Sequence, residues 1–328
     1  MPTQTTINTA APNTYLNKQY MDRSMLAWAR TKFVHARFGQ KRQIPANEGK
    51  SVEFRRWELF DPNLATTPLQ EGVTPAGQDL KQTKVEATVA QYGAYVEVSD
   101  MLKKTNFNNE LREVSQLLGE QLGTVVEWVT RDAMSAGTNV QFANGKASRD
   151  ALADGDKLTV DEIRKAVRTM KKAKARMFNG AETDGGKPGS RKPHYVCIVS
   201  PDATYDLQSD PLWQDVSKYS NAEQIYSGEI GRLFGVVFVE STEAKVFAGA
   251  GSGSADVHGT LIFGADAYGT IDISGKSRAV RSIIKPLGSS GTEDPLDQRA
   301  TIGAKVMAYA SVILNQLWIL RIEHTVTD

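Results

Sequence analysis

Two segments of the chain alternate apolar and polar residues in the manner of β-strands. Residues 51–60 (SVEFRRWELF) and 83–99 (TKVEATVAQYGAYVEVS) are rich in Val, Phe, Tyr and Trp. The 22 residues between them, 61–82, include three prolines and two glycines, and so long a connection is typical of a binding element. The pattern predicts a projecting β-hairpin arm, although the same strands would also suit an ordinary buried sheet.

The alternation changes phase within both strands. Val52 and Phe54 occupy even positions whereas Trp57 occupies an odd one, and the second strand changes phase after Val89. The alternation of apolar and polar residues changes phase where an extra residue is inserted or where a ribbon twists strongly. Glycine suits such a position. We therefore predict a bent or coiled arm with Gly93 as its bulge residue.

A long amphipathic helix is predicted over residues 106–137, directly after the arm. Its apolar residues recur every three or four positions: Phe107, Leu111, Val114, Leu118, Leu122, Val125, Val129 and Ala133. Gly137 is predicted to end the helix in a left-handed conformation. About 28 residues at about 1.5 Å each make a rod of about 40 Å. Such a rod spans a whole domain, although its composition also suits an ordinary core helix.

Helix and strand signals alternate after this rod. Thr159 and Glu162 have capping-box spacing at the start of a helix predicted over 159–178, and Ser200 followed by Pro201 predicts a helix over 201–209. Strands are predicted over 195–200, 236–241 and 260–264. The alternation predicts a mixed α/β domain.

Four basic residues cluster near the end of the helix predicted over 159–178. They are Lys171, Lys172, Lys174 and Arg176. Cations at this end complement the helix dipole, so a solvated polar face is the favoured interpretation. A surface that contacts packaged DNA or a neighbouring subunit is the alternative.

The C-terminal region returns to strand character over 278–286, 299–311 and 317–324. We expect the last two strands to pack with the long helix and the base of the arm. One domain would then consist of segments on both sides of an inserted α/β domain.

Composition and charge exclude several classes of protein. The chain has 328 residues, 40% of them hydrophobic, and a formal net charge of only +1. Near neutrality argues against a protein whose main task is to wrap nucleic acid. No apolar run reaches the 18 or so residues of a membrane span, and the N-terminus lacks the pattern of a signal peptide, so we expect a soluble protein with no membrane partner.

Candidate chemistry is sparse, and we predict no catalytic residue, metal site or cofactor. The four histidines are far apart in sequence. The Gly275-Lys276-Ser277 tripeptide lacks the preceding glycine of a phosphate loop. The single cysteine, Cys197, lies in an apolar strand and is expected to be inert. An α/β enzyme of unknown reaction and a DNA-binding protein remain alternatives to a structural role.

Several blocks of the sequence, in a consistent order, resemble the major capsid proteins of N4-like tailed bacteriophages. The blocks are TKFVHARFGQKRQIPANEGKSVEFRRWELFDPNLATTPLQEGVTP (31–75), QYGAYVEVSDML (91–102), LLGEQLG (117–123), RDAMSAGTNVQFA (131–143), GEIGRLFGVVFVES (228–241) and ILNQLWILRIEH (313–324). Together they extend over most of the chain, which makes the resemblance more specific than any single short motif.

The resemblance implies an α+β fold, the Hong Kong 97-type capsid fold. Its parts would be an N-terminal arm (1–46), an extended β-hairpin loop (47–105), a peripheral domain with a long spine helix (106–155), an α/β axial domain (156–285), and return strands of the peripheral domain (286–328). The chain departs from this family in one respect: no long charged helical segment precedes the arm, so we expect no fused scaffolding domain. The lysine, asparagine and glutamate of the covalent cross-linking variant of the fold have no identifiable positions here, and we expect this trio to be absent.

The implied function is structural and not enzymatic. Subunits would form hexamers and pentamers of an icosahedral shell around double-stranded DNA, which they would contact without sequence preference, and portal, scaffold or decoration proteins would be further partners. The protein would reside in the virion after assembly in the host cytoplasm. The residues expected to make contacts between subunits are Phe54, Arg55, Arg56, Trp57, Leu69, Tyr92 and Tyr95.

Overall fold

The fold is known from a computed structural model. The structure describes residues 25–30, 32–43, 50–58, 60–65, 68, 71–74, 77–101, 110–178, 193–213, 229–271, 280–289 and 294–327. The start of the long helix near residues 106–109, the Gly275-Lys276-Ser277 tripeptide and Leu69 lie outside these residues.

The described strands and helices are numbered in chain order. The strands are β1 (Gln40–Arg42), β2 (Ser51–Trp57), β3 (Gln82–Thr88), β4 (Ala90–Ser99), β5 (Val140–Phe142), β6 (Tyr195–Val199), β7 (Glu229–Leu233), β8 (Val236–Glu240), β9 (Lys245–Phe247), β10 (Val257–Phe263), β11 (Tyr268–Ile271), β12 (Val280–Lys285), β13 (Arg299–Tyr309), β14 (Ser311–Ile313) and β15 (Ile319–His324). The helices are α1 (Glu110–Ser135), α2 (Val160–Lys172) and α3 (Pro201–Gln208), and residues 25–30 are also helical.

Among the described residues, the largest sheet has seven strands. Its order is β5-β15-β10-β6-β8-β7, with β9 paired to β10. The central strand β6 is buried at all five positions. Tyr195, Cys197 and Val199 pack against α2 and α3, while Val196 and Ile198 pack on the opposite side with Phe38, Met134 and Phe178. A strand covered on both faces needs an unbroken apolar run, as this segment has.

The second large unit is the three-stranded antiparallel sheet β12-β13-β4, whose inner face packs on α1. Ile302, Ala304 and Val306 of β13 join Leu118 and Leu122 of α1 in one core. α1 runs from Glu110 to Ser135, which confirms the predicted long helix. Its apolar stripe therefore buries the side of the sheet that faces it.

The predicted arm divides at Val89. β2 pairs with β3 from Ser51↔Thr88 to Trp57↔Gln82, so the hairpin is real. β4, however, pairs with β13 in the three-stranded sheet. The predicted second strand of the arm, 83–99, is thus divided between two sheets. Its first half, in β3, pairs with β2, and its second half, in β4, pairs with β13.

The predicted bulge at Gly93 is wrong. Gly93 pairs regularly with Lys305, and the register shifts on the partner strand, between Val306 and Tyr309. The extra residue therefore lies in β13, opposite the start of β4.

Two predicted helix ends also differ from the structure. Gly137 does not adopt the left-handed conformation. The carbonyl groups of Ser135 and Gly137 accept hydrogen bonds from Arg321 Nη1. α2 ends at Lys172, six residues early, and Lys174 has φ = 52° in the turn that follows. Lys174 and Arg176 are therefore loop residues.

Two C-terminal strands were assigned to the wrong sheet. β12 belongs with β13 and β4, although residues up to 285 were expected in the α/β domain. β15 lies inside the seven-stranded sheet between β5 and β10, although residues 286–328 were expected to return to the sheet at the base of the arm. In that C-terminal region, β13 and β14 make the most extensive contacts with α1.

Candidate assembly interface

The base of the hairpin is part of the subunit's own core. Val52, Phe54 and Ala87 are buried with the side chains of α1 and β13. The Phe54 ring packs against Gly269 so closely that a Cβ there would lie 2.4 Å from it. Phe54 was predicted to contact another subunit, and that prediction is wrong because the ring has no exposed surface to offer.

Tyr92 has a similar position. It pairs with Val306 on the inner face of the three-stranded sheet and is half-buried against the same core. The ring thus packs in part within its own subunit, and its contact with a neighbouring subunit stays a prediction.

The tip of the hairpin, residues 58–81, together with Trp57 at its start, exposes large apolar side chains. Trp57, Phe60, Val73 and Leu80 are each more than half exposed. The tip also carries four carboxylates, Glu58, Asp61, Glu71 and Asp79, but only one cation, Lys81. Exposed apolar groups on a thin projecting element mark an interaction site, and this site is acidic.

The two arginines of the hairpin differ in environment. Arg55 is exposed, and its Nη2 lies 3.4 Å from Glu53 Oε2. Arg56 is half-buried, and its buried Nε has no hydrogen-bond partner among the described residues. Both side chains remain near the hairpin base, next to exposed Trp57.

The outer face of the three-stranded sheet is a second exposed surface. Cross-strand neighbours share a face, so the register places Ile283, Gly303 and Tyr95 in one row. Tyr95 is 67% exposed and Ile283 39% exposed. Because Gly303 has no side chain, the row forms a shallow apolar groove between these two residues.

Charged residues border this groove. The row on one side contains Arg281, Lys305 and Gly93, and the row on the other contains Lys285, Thr301 and Glu97. Arg299 also lines the groove. Four cations and one carboxylate make this face basic, which is opposite to the charge of the hairpin tip.

The sequence pattern identified the hairpin tip but missed the outer face of this sheet. Tyr95 was selected as an arm residue, whereas Ile283, Lys285 and Lys305 come from segments almost 200 residues away. The alternation of apolar and polar residues in 280–285 indicates a strand with one buried and one exposed face. No local signal shows which strand lies beside it.

A buried carboxylate fixes the N-terminal segment against α1. Glu127 is 0% exposed and accepts hydrogen bonds from the backbone N–H groups of Val34, His35 and Ala36. Its Oε1 also lies 2.6 Å from His35 Nδ1. Both oxygens of Glu127 thus accept hydrogen bonds, and residues 34–36 are held at one place on the helix.

Close backbone contacts support the same attachment. A Cβ on Gly119 would lie 2.9 Å from the carbonyl oxygen of Met25, and one on Gly123 would lie 2.5 Å from that of Ala29. Only glycine lets the helix at 25–30 approach α1 so closely.

An ionic cluster joins α1 to the seven-stranded sheet. Arg149 donates two hydrogen bonds of 2.7 Å to Glu323, and Arg321 Nε donates one of 2.7 Å. Burial disfavours the charged form of Glu323, but the hydrogen bond from Arg149 and the charge of Arg321 outweigh it and lower its pKa. Because Arg321 also binds the carbonyl groups at the end of α1, the two units are firmly connected.

The seven-stranded sheet holds polar groups that serve packing. Cys197 is buried, as predicted, and burial raises the pKa of its thiol well above the usual value. His258 Nδ1 lies 3.0 Å from Ser200 Oγ, and His324 Nε2 lies 2.9 Å from Thr260 Oγ1. Among the described residues, no group of three or more His, Cys, Asp and Glu side chains could hold a metal ion.

The predicted basic cluster is divided in the structure. Lys171 and Lys172 lie on α2 and line a shallow groove with Arg164, Arg168 and Phe234. Arg176, in contrast, forms an ion pair with Asp266, with 2.9 Å between Nη1 and Oδ2. In the part of the chain that the structure describes, no helix is both long enough and apolar enough to cross a membrane.

Comparison with solved structures identifies the fold. The capsid of Ralstonia phage GP4 is 16% identical, with a TM-score of 0.70 over 90% of this chain and 92% of that chain. The capsid of cyanophage Pam1 is 12% identical, with a TM-score of 0.63 over 99% of this chain and 98% of that chain. The fold is therefore the Hong Kong 97-type capsid fold, as the sequence resemblance implied.

Sequence comparison gives the family. Over 98 residues, or 30% of this chain, the protein is 32% identical to the major capsid protein of Escherichia phage T5, and the match spans only 18% of the length of that relative. A model of the family described as phage capsid protein matches residues 76–275, which is more than half of the chain. The protein belongs to the phage capsid protein family.

Proposed function

We propose that this chain is the major capsid protein of a tailed, double-stranded DNA bacteriophage of the N4-like group. Its subunits assemble into the hexamers and pentamers of an icosahedral shell that encloses the genome, with portal, scaffold or decoration proteins as further partners. Family membership and fold support a structural role in the virion, with assembly in the host cytoplasm.

The proposed domain layout follows the sheets. The β2-β3 hairpin forms the extended loop, α1 with β4, β12, β13 and β14 forms the peripheral domain around the α1 spine, and the strands from β5 to β11 with β15, α2 and α3 form the axial domain. This layout keeps the predicted parts but moves β4 and β12 into the peripheral domain and β15 into the axial domain.

The observation that carries the assembly mechanism is the complementarity of two exposed surfaces. The hairpin tip is apolar and acidic, and the outer face of the β12-β13-β4 sheet is apolar and basic. We infer that the tip of one subunit docks in the groove between Tyr95 and Ile283 of the next. Contacts between unlike surfaces of identical subunits generate rings when the rotation closes.

Burial of apolar side chains supplies most of the attraction. Each large apolar side chain removed from water contributes about 1.5–3 kcal/mol. Trp57, Phe60, Val73 and Leu80 are available on the tip. The opposite charges around them set the orientation and disfavour wrong pairings.

Charge reversal with compensation tests this interface. The tip variant Glu71→Lys/Asp79→Lys places cations against the basic groove, and like charges at an interface cost several kcal/mol. We expect the soluble protein to fold but to form no shells in negative-stain micrographs. Adding Lys285→Glu and Lys305→Glu to the tip variant restores the opposite charges and is expected to restore shells.

A matched control reverses two carboxylates elsewhere. Glu113 and Asp150 are exposed and lie outside both surfaces, so Glu113→Lys/Asp150→Lys is expected to assemble normally. Normal shells from the tip variant, or no recovery in the compensated variant, would contradict the proposed docking.

A further inference from the structure

One face of α2 presents an uninterrupted row of cations. Arg164, Arg168 and Lys172 are exposed at successive spacings of four residues, and exposed Lys171 lies three residues after Arg168. At about 1.5 Å per residue, they extend over about 12 Å, with steps of about 6 Å between Arg164, Arg168 and Lys172. Such a row matches an extended polyanion better than a single carboxylate.

Most of this charge is not neutralised within the subunit. Arg164 pairs with Asp161, with 3.1 Å between Nη1 and Oδ1. Among the described residues, Arg168, Lys171 and Lys172 form no ion pair. The row therefore keeps three uncompensated positive charges.

An exposed phenyl ring stands beside the row at a strained position. Phe234 and Gly235 occupy the turn between β7 and β8, with φ values of 50° and 79°. These values suit a hairpin turn in which asparagine and glycine are preferred. Phe234 is nevertheless 46% exposed, and the Arg164 guanidinium lies 5.5 Å from its ring centre.

The cost of this position points to a role in binding. A bulky residue in the left-handed region is unfavourable, and an exposed ring gains little from burial. An aromatic ring flanked by arginines is a common way to hold nucleic acid, because bases stack on the ring while the cations bind phosphates.

We propose that Arg164, Arg168, Lys171, Lys172 and Phe234 form a surface that binds the phosphate backbone of nucleic acid without sequence preference, with Phe234 contacting unpaired bases. This surface differs from the cluster predicted from sequence. Lys174 and Arg176 lie in the loop after α2, and Arg176 is paired with Asp266.

Salt dependence of DNA binding by the soluble, unassembled chain tests the row of cations. For duplex DNA, the logarithm of the binding constant falls by about 0.9 per phosphate contact for each tenfold rise in salt. We expect a slope of about −2.7 for the three unpaired cations, measured by fluorescence anisotropy with a labelled duplex. Arg168→Gln/Lys172→Gln should reduce its magnitude by about 1.8.

The matched control is Lys174→Gln/Arg176→Gln, which removes the same charge from the loop after α2. It should leave the slope unchanged. Equal losses in the two double variants would mean that only net charge matters, and no binding by the native chain would also overturn the proposal.

Phe234→Asn separates binding from folding. Asparagine suits the turn, so the melting temperature should rise. Affinity for single-stranded DNA should fall about tenfold because one stacked base is lost, while affinity for duplex DNA changes little. Unchanged affinity for single-stranded DNA would exclude a role for the ring.

Imaging the same variants distinguishes a DNA-binding surface from a subunit contact. We expect shells from Arg168→Gln/Lys172→Gln. If this variant bound DNA normally but formed no shells, the face would be a contact between subunits and the proposal would be wrong. Failure of the native chain to form shells would bear on the proposed function alone, since binding is measured on the unassembled protein.

Discussion

At the scale of single residues, the structure depends on a few buried polar groups whose partners are distant in sequence. Glu127 illustrates this, because its four hydrogen-bonding partners lie in residues 34–36. Caps such as Thr159 and Ser200 were predicted correctly because their partners are three residues away. Nothing near Glu127 in the sequence distinguishes it from the exposed carboxylates of α1.

Removing the Glu127 carboxylate should destabilise the fold strongly. Glu127→Ala leaves three buried N–H groups and His35 without their acceptor, and breaking a buried charged network costs about 3–5 kcal/mol. The control is Glu120→Ala on the same helix, where the exposed pair with Lys32 at 3.7 Å is worth about 0–1 kcal/mol. Equal shifts of the urea midpoint in the two variants would contradict this role for Glu127.

His324 should make the fold sensitive to acid. Burial lowers its pKa from 6.5 to about 4, with a further contribution from nearby His258. Between these values the unfolded chain binds a proton that the folded chain does not. Stability therefore falls as the pH drops from 6.5 towards 4, by about 3 kcal/mol from this group.

His324→Gln tests this pH dependence. Urea unfolding at pH 7 and pH 4.5 should show the native chain losing about 2 kcal/mol more than the variant. Parallel losses in the two proteins would show that His324 does not titrate in this way.

At the scale of elements, patterns within one segment were read correctly but the pairing of segments was not. The long stripe of α1 and the apolar run of β6 each follow from a local period. The division of the arm at Val89 does not follow from a local period, because the residues before and after Val89 have similar composition. Only the position of β13 decides where β4 pairs. The same reason explains why Phe54, an apolar strand residue, was taken for an interface residue.

The contact between α1 and the helix at 25–30 gives a test at this scale. Alanine in place of a mid-helix glycine normally adds about 1 kcal/mol of stability. Gly123→Ala should instead destabilise the protein by about 1–3 kcal/mol, because its Cβ meets the Ala29 carbonyl oxygen at 2.5 Å.

Limited proteolysis provides the second readout for Gly123→Ala. Cleavage after residues of the 25–42 segment should become faster if that segment is displaced. A variant with higher stability and unchanged cleavage would show that the two backbones are free to separate.

At the scale of the whole molecule, the proposed docking brings together two surfaces of opposite charge that both expose apolar side chains. The base of the hairpin is fixed in the core by Phe54, and Arg321 with Glu323 joins the spine to the seven-stranded sheet. In the proposed assembly, attachment of both surfaces to one folded core sets the angle between neighbouring subunits, so the geometry of the shell follows from the folded subunit.

Cross-linking between the two surfaces in assembled shells tests this account most directly. The only native cysteine is buried, so the variant Leu80→Cys/Ile283→Cys carries one reactive thiol on the tip and one in the groove. After treatment of shells with a short bismaleimide, a denaturing gel should show a ladder of linked subunits, and Leu80→Cys alone should show none. Intact shells that give only monomers would contradict the docking of the hairpin tip on the neighbouring sheet.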